Sequence, residues 1–262
     1  MSLISNRREQ DFMLYEVLAV DSLLNNELFA HCSRDAFEMT LDMAQKIGEK
    51  ELLPRLMEAD REGASLINGE VKVPKCYHDL QKIVAGAGWF TISAPEDCGG
   101  QGMPYVIEAA AQENFLFHMA YFMYSGGAVG ASHLIHDYGT DEQKNKYMYK
   151  MLEGKYGGTM ALTEPDAGSD VGALKTKAFR QPDGTFKIKG QKIFISGGDC
   201  DMFENIVHPI LARIEGDPEG TAGISIFLVP KFIINDDGTL GKRNDYTITG
   251  IEHKLGLMGN AT

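Results

Sequence analysis

The residues best suited to chemistry are Met160-Ala161-Leu162-Thr163-Glu164-Pro165-Asp166-Ala167-Gly168-Ser169-Asp170. Gly157 to Thr163 reads as a short strand running into Glu164-Pro165. Pro165 biases Glu164 to an extended backbone, and Asp166 to Asp170 then turns the chain. A strand edge ending in a glycine-containing turn exposes backbone N–H groups and short hydroxyls. Such a surface suits a planar heteroaromatic ring with several acceptors, a phosphate or a carbonyl. On these physical grounds alone, an ordinary strand and turn is the favoured reading.

Other candidates are weaker. Glu164 sits where a base could be imagined, but a carboxylate that orders the turn or caps a neighbour is the better account. His133 and His136 are three apart on an expected helix, a spacing that can hold a metal. No further ligands accompany them, so no metal site is expected. No role follows for His208, beside Pro209. Gly126, Gly127 and Gly130 mark either a turn near a ligand or a plain interhelical turn. Met119, Met123, Met148 and Met151 suit an adaptable apolar lining, with ordinary core as the simpler assignment.

These residues need elements to hold them. Phe12, Tyr15, Val17, Leu18 and Leu23 recur at helical spacing, and so do Phe37, Leu41, Ala44, Ile47 and Leu52 between Asp35 and Ala59. Pro54 should end or kink that second helix unless it opens a new turn. A further helix begins at Pro74, with Tyr77, Leu80, Ile83, Val84 and Ala87 on one side. The Pro- and Gly-rich run from Ser93 to Gly102 is a loop. Met103 to Tyr124 reads as a buried helix interrupted by the three glycines, followed by helices over Ala131–Tyr138 and Asp141–Leu152. Thr140 is placed to cap the last of these.

After Gly154 the texture changes to strands. Lys175–Phe179 and Phe186–Lys189 flank a turn at Pro182-Asp183-Gly184. Lys192–Ser196, Ile206–Arg213, Gly223–Pro230 and Tyr246–Ile251 are further strand candidates. The expected class is α+β: an all-α helical domain over residues 1–153, then a β-barrel or sandwich-like domain over residues 154–262.

The chain has 262 residues and a formal net charge of −12. Such an acidic chain repels phosphate backbones, so nucleic-acid binding is not expected as a main role. The four cysteines form no C-x-x-C pair, which argues against zinc and favours free thiols. No run approaches the roughly 18 apolar residues of a membrane span. Arg7 and Arg8 are followed at once by acidic residues rather than an apolar stretch, so no secretory signal is read and a cytoplasmic protein is expected.

Leu162-Thr163-Glu164-Pro165 with Ala167-Gly168-Ser169-Asp170 resembles the flavin-binding signature of the acyl-CoA dehydrogenase family. Gly190-Gln191-Lys192-Ile193-Phe194-Ile195-Ser196-Gly197-Gly198 resembles that family's G-x-K-x-[WF]-I-[ST]-x-[GA] strand, at the expected separation. The long N-terminal lead-in, Glu204 to His208 and Gly223 to Lys231 resemble a large-subunit branch that includes enzymes acting on methylmercaptopropionyl-CoA. The resemblance covers nearly the whole chain.

It implies FAD as cofactor and an acyl-CoA thioester as substrate. The α proton would go to a carboxylate and the β hydrogen, as hydride, to flavin N5. Met160, Leu162 and Thr163 would line the flavin, with backbone groups and the Thr163 hydroxyl on its pyrimidine side. Phe194, where many members have Trp, would pack on the ring. Ile195 would sit beside it, with the Ser196 hydroxyl near N5. Ser169 would touch the CoA portion. The family's base is a Glu in a further helical bundle, expected after Thr262. The chain is therefore expected to be a fragment, truncated before that bundle and inactive alone. Electron-transfer flavoprotein is the expected electron acceptor, and the full-length protein is expected to be a homo-oligomer. The alternatives are an acyl-CoA oxidase, a related flavin monooxygenase, or a non-catalytic scaffold that keeps the fold.

Overall fold

The computed structural model describes residues 2–262. Its first half is helical. The short helix α1 (Arg7–Asp11) continues as a π turn to Val17 and then breaks. Ala19 adopts a left-handed backbone there, and Phe12, Val17 and Leu18 are largely exposed. The next helix, α2 (Arg34–Ile47), starts at Ser33, whose side chain accepts from the Ala36 N–H at 3.1 Å. Phe37, Leu41, Ala44 and Ile47 form its buried stripe. A π turn over Gly48–Leu52 leads directly into α3 (Leu53–Glu62). Pro54 thus falls in a first turn, where its missing N–H costs little, and the widened turn before it gives the ring room.

Ser65–Ile67 (β1) and Glu70–Lys72 (β2) form a small hairpin that the sequence pattern did not reveal. It is followed by α4 (Cys76–Gly86), with Tyr77, Leu80 and Val84 buried. The long apolar stretch divides into α5 (Tyr105–Leu116) and α6 (Met119–Tyr138). The break lies at Phe117-His118, where His118 leaves the helical region. It does not lie at the glycines. Gly126, Gly127 and Gly130 are inside α6, which corrects the expectation of an interruption there. The reason is packing. A Cβ on Gly127 would strike the Gly158 carbonyl, and one on Gly158 would lie 2.7 Å from the Ala131 Cβ. The helix therefore lies directly on a strand. Asp141–Gln143 (α7) and Tyr149–Leu152 (α8), joined by a π turn, complete the helical half. Thr140 caps this run as expected, with a reciprocal bond from its own N–H to Gln143 at 2.9 Å.

The second half is built around β6 (Asn205–Ile214). Tyr156–Gly158 (β3) pairs parallel with one end of it, and Lys177–Arg180 (β4) with the other. Phe186–Lys189 (β5) pairs antiparallel with β4 across the Pro182-Asp183-Gly184 turn. Ile224–Pro230 (β7) runs antiparallel along β6. Phe232–Ile234 (β8) and Leu240–Arg243 (β9) make a separate hairpin. Two expected strands are absent: neither Lys192–Ser196 nor Tyr246–Ile251 forms one. Phe194 takes φ 56°, which no strand accommodates. The architecture is α+β, a helical half followed by a β-sheet half.

The largest core lies among α2 to α6 and is rich in aromatics. A second core, with Ile135, Met148, Met151, Tyr156 and Val207, joins helices to sheet. All four cysteines are free. No helix of the described residues is long and apolar enough to cross a membrane.

Candidate functional site

The strand β3 fixes the start of the first motif. Its continuation bridges Ala161 to Ile210: the Ala161 N–H donates to the Pro209 carbonyl at 2.8 Å, and the Leu211 N–H donates back to Ala161 at 3.1 Å. Alternation then decides which side chains face where. Thr159 and Ala161 are buried, and Met160 between them is 51% exposed.

The two motifs are tied together by one lysine. Lys192 Nζ donates to the Leu162 carbonyl at 2.9 Å and to Glu164 Oε1 at 2.8 Å. The Ile193 N–H donates to the Thr163 carbonyl at 2.9 Å. Glu164 is buried and also accepts from the N–H groups of Lys175 at 2.6 Å and Thr176 at 3.1 Å. Burial works against its charge, but these bonds outweigh burial and hold its carboxyl below the usual range. Every bond it makes is structural, in line with its expected role in ordering the turn.

Beyond Lys192 the chain must swing Phe194 outward. Its left-handed backbone is rare for a bulky residue and persists only where surroundings impose it. The ring is 49% exposed, with Lys254 Nζ 4.7 Å from its centroid. Three residues on, the Gly197 N–H is held by Asn260 at 2.9 Å.

A cleft of about 670 Å³ lies between these motifs and the helices α5 and α6. Met160, Phe194 and Ser196 line it from the sheet side, with Thr159. Leu162, Thr163 and Ile195 are half-buried on the same segments without lining it, and Ser169 is exposed on the turn. Neither the Leu162 and Thr163 N–H groups nor the Thr163 and Ser196 hydroxyls have a partner among the described residues. Donors left free along one wall can serve a flat ring with acceptors. The α6 part of the helical wall is largely apolar, with Met119, Phe122 and Met123, and is smoothed by Gly126 and Gly130; the α5 part carries Tyr105, Glu108 and Gln112.

Some polar residues here were not foreseen. Thr159 Oγ1 lies 2.8 Å from His208 Nδ1, and His208 Nε2 lies 3.0 Å from the Tyr246 hydroxyl. Burial, with Lys231 nearby, lowers the His208 pKa to about 4, so the ring is neutral. No local spacing joins residues so far apart in sequence. Glu108 and Gln112 line the helical side, and their helical spacing alone could have been noticed. His133 and His136 diverge. His133 Nδ1 lies 3.1 Å from the Tyr105 hydroxyl, whereas His136 faces Asp137 and Asp97.

Comparison with known proteins follows this division. Residues 34–155 match the model of the acyl-CoA dehydrogenase N-terminal domain, and residues 159–262 that of its middle domain. The chain is 40% identical to the broad-specificity linear acyl-CoA dehydrogenase FadE5 of Mycobacterium tuberculosis, over 98% of this chain and 43% of the relative. It is 40% identical to 3-methylmercaptopropionyl-CoA dehydrogenase of Ruegeria pomeroyi, over 78% of this chain and 35% of that protein. Among solved structures, an acyl-CoA dehydrogenase complexed with FAD from Bacillus anthracis superposes with a TM-score of 0.67 at 25% identity, over 88% of this chain and 35% of that one. Butyryl-CoA dehydrogenase from Megasphaera elsdenii gives 0.61 at 26%, over 76% and 49%. The chain spans less than half the length of these relatives.

Proposed function

Since this chain belongs to the acyl-CoA dehydrogenase family, we propose that the whole protein binds FAD and introduces an α,β double bond into an acyl-CoA thioester. The observation that carries this is the cleft wall itself. Met160, Phe194 and Ser196, from two motifs remote in sequence, meet on one surface beside unpaired donors.

The bound flavin would supply a hydride acceptor; the chain's own residues bind and orient. Met160 and Phe194 offer exposed apolar surface to the ring, which explains why such large side chains stand open to the cleft. The Leu162 and Thr163 N–H groups and the Thr163 hydroxyl would bond the pyrimidine side, with Ile195 beside the ring and the Ser196 hydroxyl near N5. Ser169, on its exposed turn, would meet the CoA portion. The apolar face of α6 would hold the acyl chain against the ring, excluding water and fixing the reacting carbons. We place the division between the two domains at residues 153 and 154. The α proton would pass to a Glu outside residues 1–262. Electron-transfer flavoprotein would take the electrons, in a cytoplasmic homo-oligomer.

The test is anaerobic titration of the full-length protein with straight-chain acyl-CoA thioesters, following the flavin absorbance. Bleaching is the expected result, and in a separate aerobic assay the electrons should pass to electron-transfer flavoprotein with little peroxide formed. A protein that neither retains nor takes up FAD refutes the reading. Thr163→Val should weaken FAD binding by up to about tenfold, the worth of one hydrogen bond.

A further inference from the structure

We propose that the cleft ends in a polar pocket that receives a hydroxyl carried on the tail of the acyl chain, with Trp89 and Glu108 as its two hydrogen-bonding partners. The inference rests on the reading above that the cleft takes an acyl-CoA thioester.

Most of the helical wall suits a hydrocarbon chain, but its floor does not. Glu108 is only 6% exposed, yet it lines the cleft. Among the described residues its carboxylate accepts one hydrogen bond, from Gln112 Nε2 at 2.6 Å, and pairs with no cation. A hydrocarbon tail pressed against it would strip its remaining water and return nothing.

Behind this floor lies a small chamber of about 20 Å³. It shares Glu108, Gln112 and Phe122 with the cleft, and Trp89, Phe115 and Ser125 help to complete it. That volume holds about one water or one hydroxyl. Trp89 is 8% exposed, and its indole N–H has no partner among the described residues. A buried indole N–H ordinarily finds an acceptor.

The lining of the chamber therefore includes a residue whose donor lacks an acceptor, Trp89, and a carboxylate with a single donor, Glu108. A hydroxyl answers both, because it accepts one bond and donates another. A methyl terminus answers neither. A carboxylate tail can only accept and so returns no donor to Glu108, and an ammonium tail cannot accept from Trp89. Gly126 lines both spaces, and a Cβ there would lie 3.3 Å from the Phe122 ring. The missing side chain keeps the passage beside Phe122 open.

The test uses the full-length holoenzyme and matched pairs of straight-chain acyl-CoA and ω-hydroxyacyl-CoA over a series of lengths. At one chain length the hydroxy thioester should show a KM at least about tenfold lower than its unsubstituted partner, as expected where a site is built to bond a hydroxyl. Trp89→Phe and Glu108→Gln should each cut that ratio by at least about threefold, with Gln112→Leu as a third variant if Trp89→Phe does not fold. A ratio near one at every length would mean that the chamber holds only water, and would overturn the proposal. So would a ratio unchanged in the variants. Turnover of the plain thioesters without preference defeats this inference alone. Absence of all turnover defeats the dehydrogenase reading and this inference with it.

Discussion

A carboxylate in a buried turn is either well bonded or protonated, and Glu164 is well bonded. Removing its charge would leave Lys192, itself mostly buried, without its ionic partner. Glu164→Gln should therefore cost roughly 2–4 kcal/mol of stability at neutral pH. The pH dependence has a definite sign. The folded pKa lies below the ordinary 4.5, so the contribution is complete above about pH 4.5 and is lost as pH falls through the lowered folded value. Urea midpoints of the parent and variant, compared from pH 7 to pH 3, should converge on the acid side. A constant gap would contradict this account. At this scale the sequence was informative where neighbours are local, as with Thr140 and its cap; that Glu164 orders its turn was legible, but its partners Lys175, Thr176 and Lys192 were not. It was silent on Thr159, His208 and Tyr246, whose contact exists only because β3 and β6 pair and the chain returns past β9.

At the scale of elements, the glycines of α6 are the informative case. Glycine weakens an isolated helix, and three of them suggest a break; α6 runs through them, and at Gly127 the contact with β3 leaves no room for a side chain. Positions 127 and 130 should thus respond oppositely to alanine. Gly127→Ala forces a methyl into the Gly158 carbonyl and should destabilise by about 1–3 kcal/mol. At Gly130 nothing lies within 4 Å of an added Cβ, so Gly130→Ala should stabilise by up to about 1 kcal/mol. Chemical denaturation of both variants decides it, and equal effects would refute the packing argument. The Lys192–Ser196 stretch failed in the opposite way. Its composition is that of a strand, but bonds from Lys192 and Ile193 to the first motif bend it so that Phe194 faces the cleft.

At the scale of the whole molecule, two buried histidines shape how stability varies with pH. Burial lowers the pKa of both His118 and His208 from 6.5 to about 4. Each favours folding fully above about pH 6.5, and that contribution is lost as pH falls towards 4. The loss is at most roughly 3 kcal/mol per histidine. Neither ring nitrogen of His118 has a partner among the described residues. His118→Phe should therefore stabilise the protein, and more at pH 5 than at pH 7, in urea midpoints measured at both. A larger gain at pH 7 would contradict it. The order of a helical half and then strands was legible because periodicity is local. The way the halves meet was not. The last residues fold back onto the helices, with the Asn260 amide donating to the Ala120 carbonyl at 2.9 Å and the Ala64 N–H to the Met258 carbonyl at 2.7 Å. Such contacts leave no periodic trace.

Lys192 carries a consequence of another kind. One ammonium group grips Leu162 and Glu164 while its own backbone leads two residues on to Phe194. The two motifs that make the sheet-side wall of the cleft are thereby yoked. A change that moves one drags the other, so the gap between them is inherited as a single trait, and variation among relatives should appear in the helices across from it rather than in the spacing of the yoke.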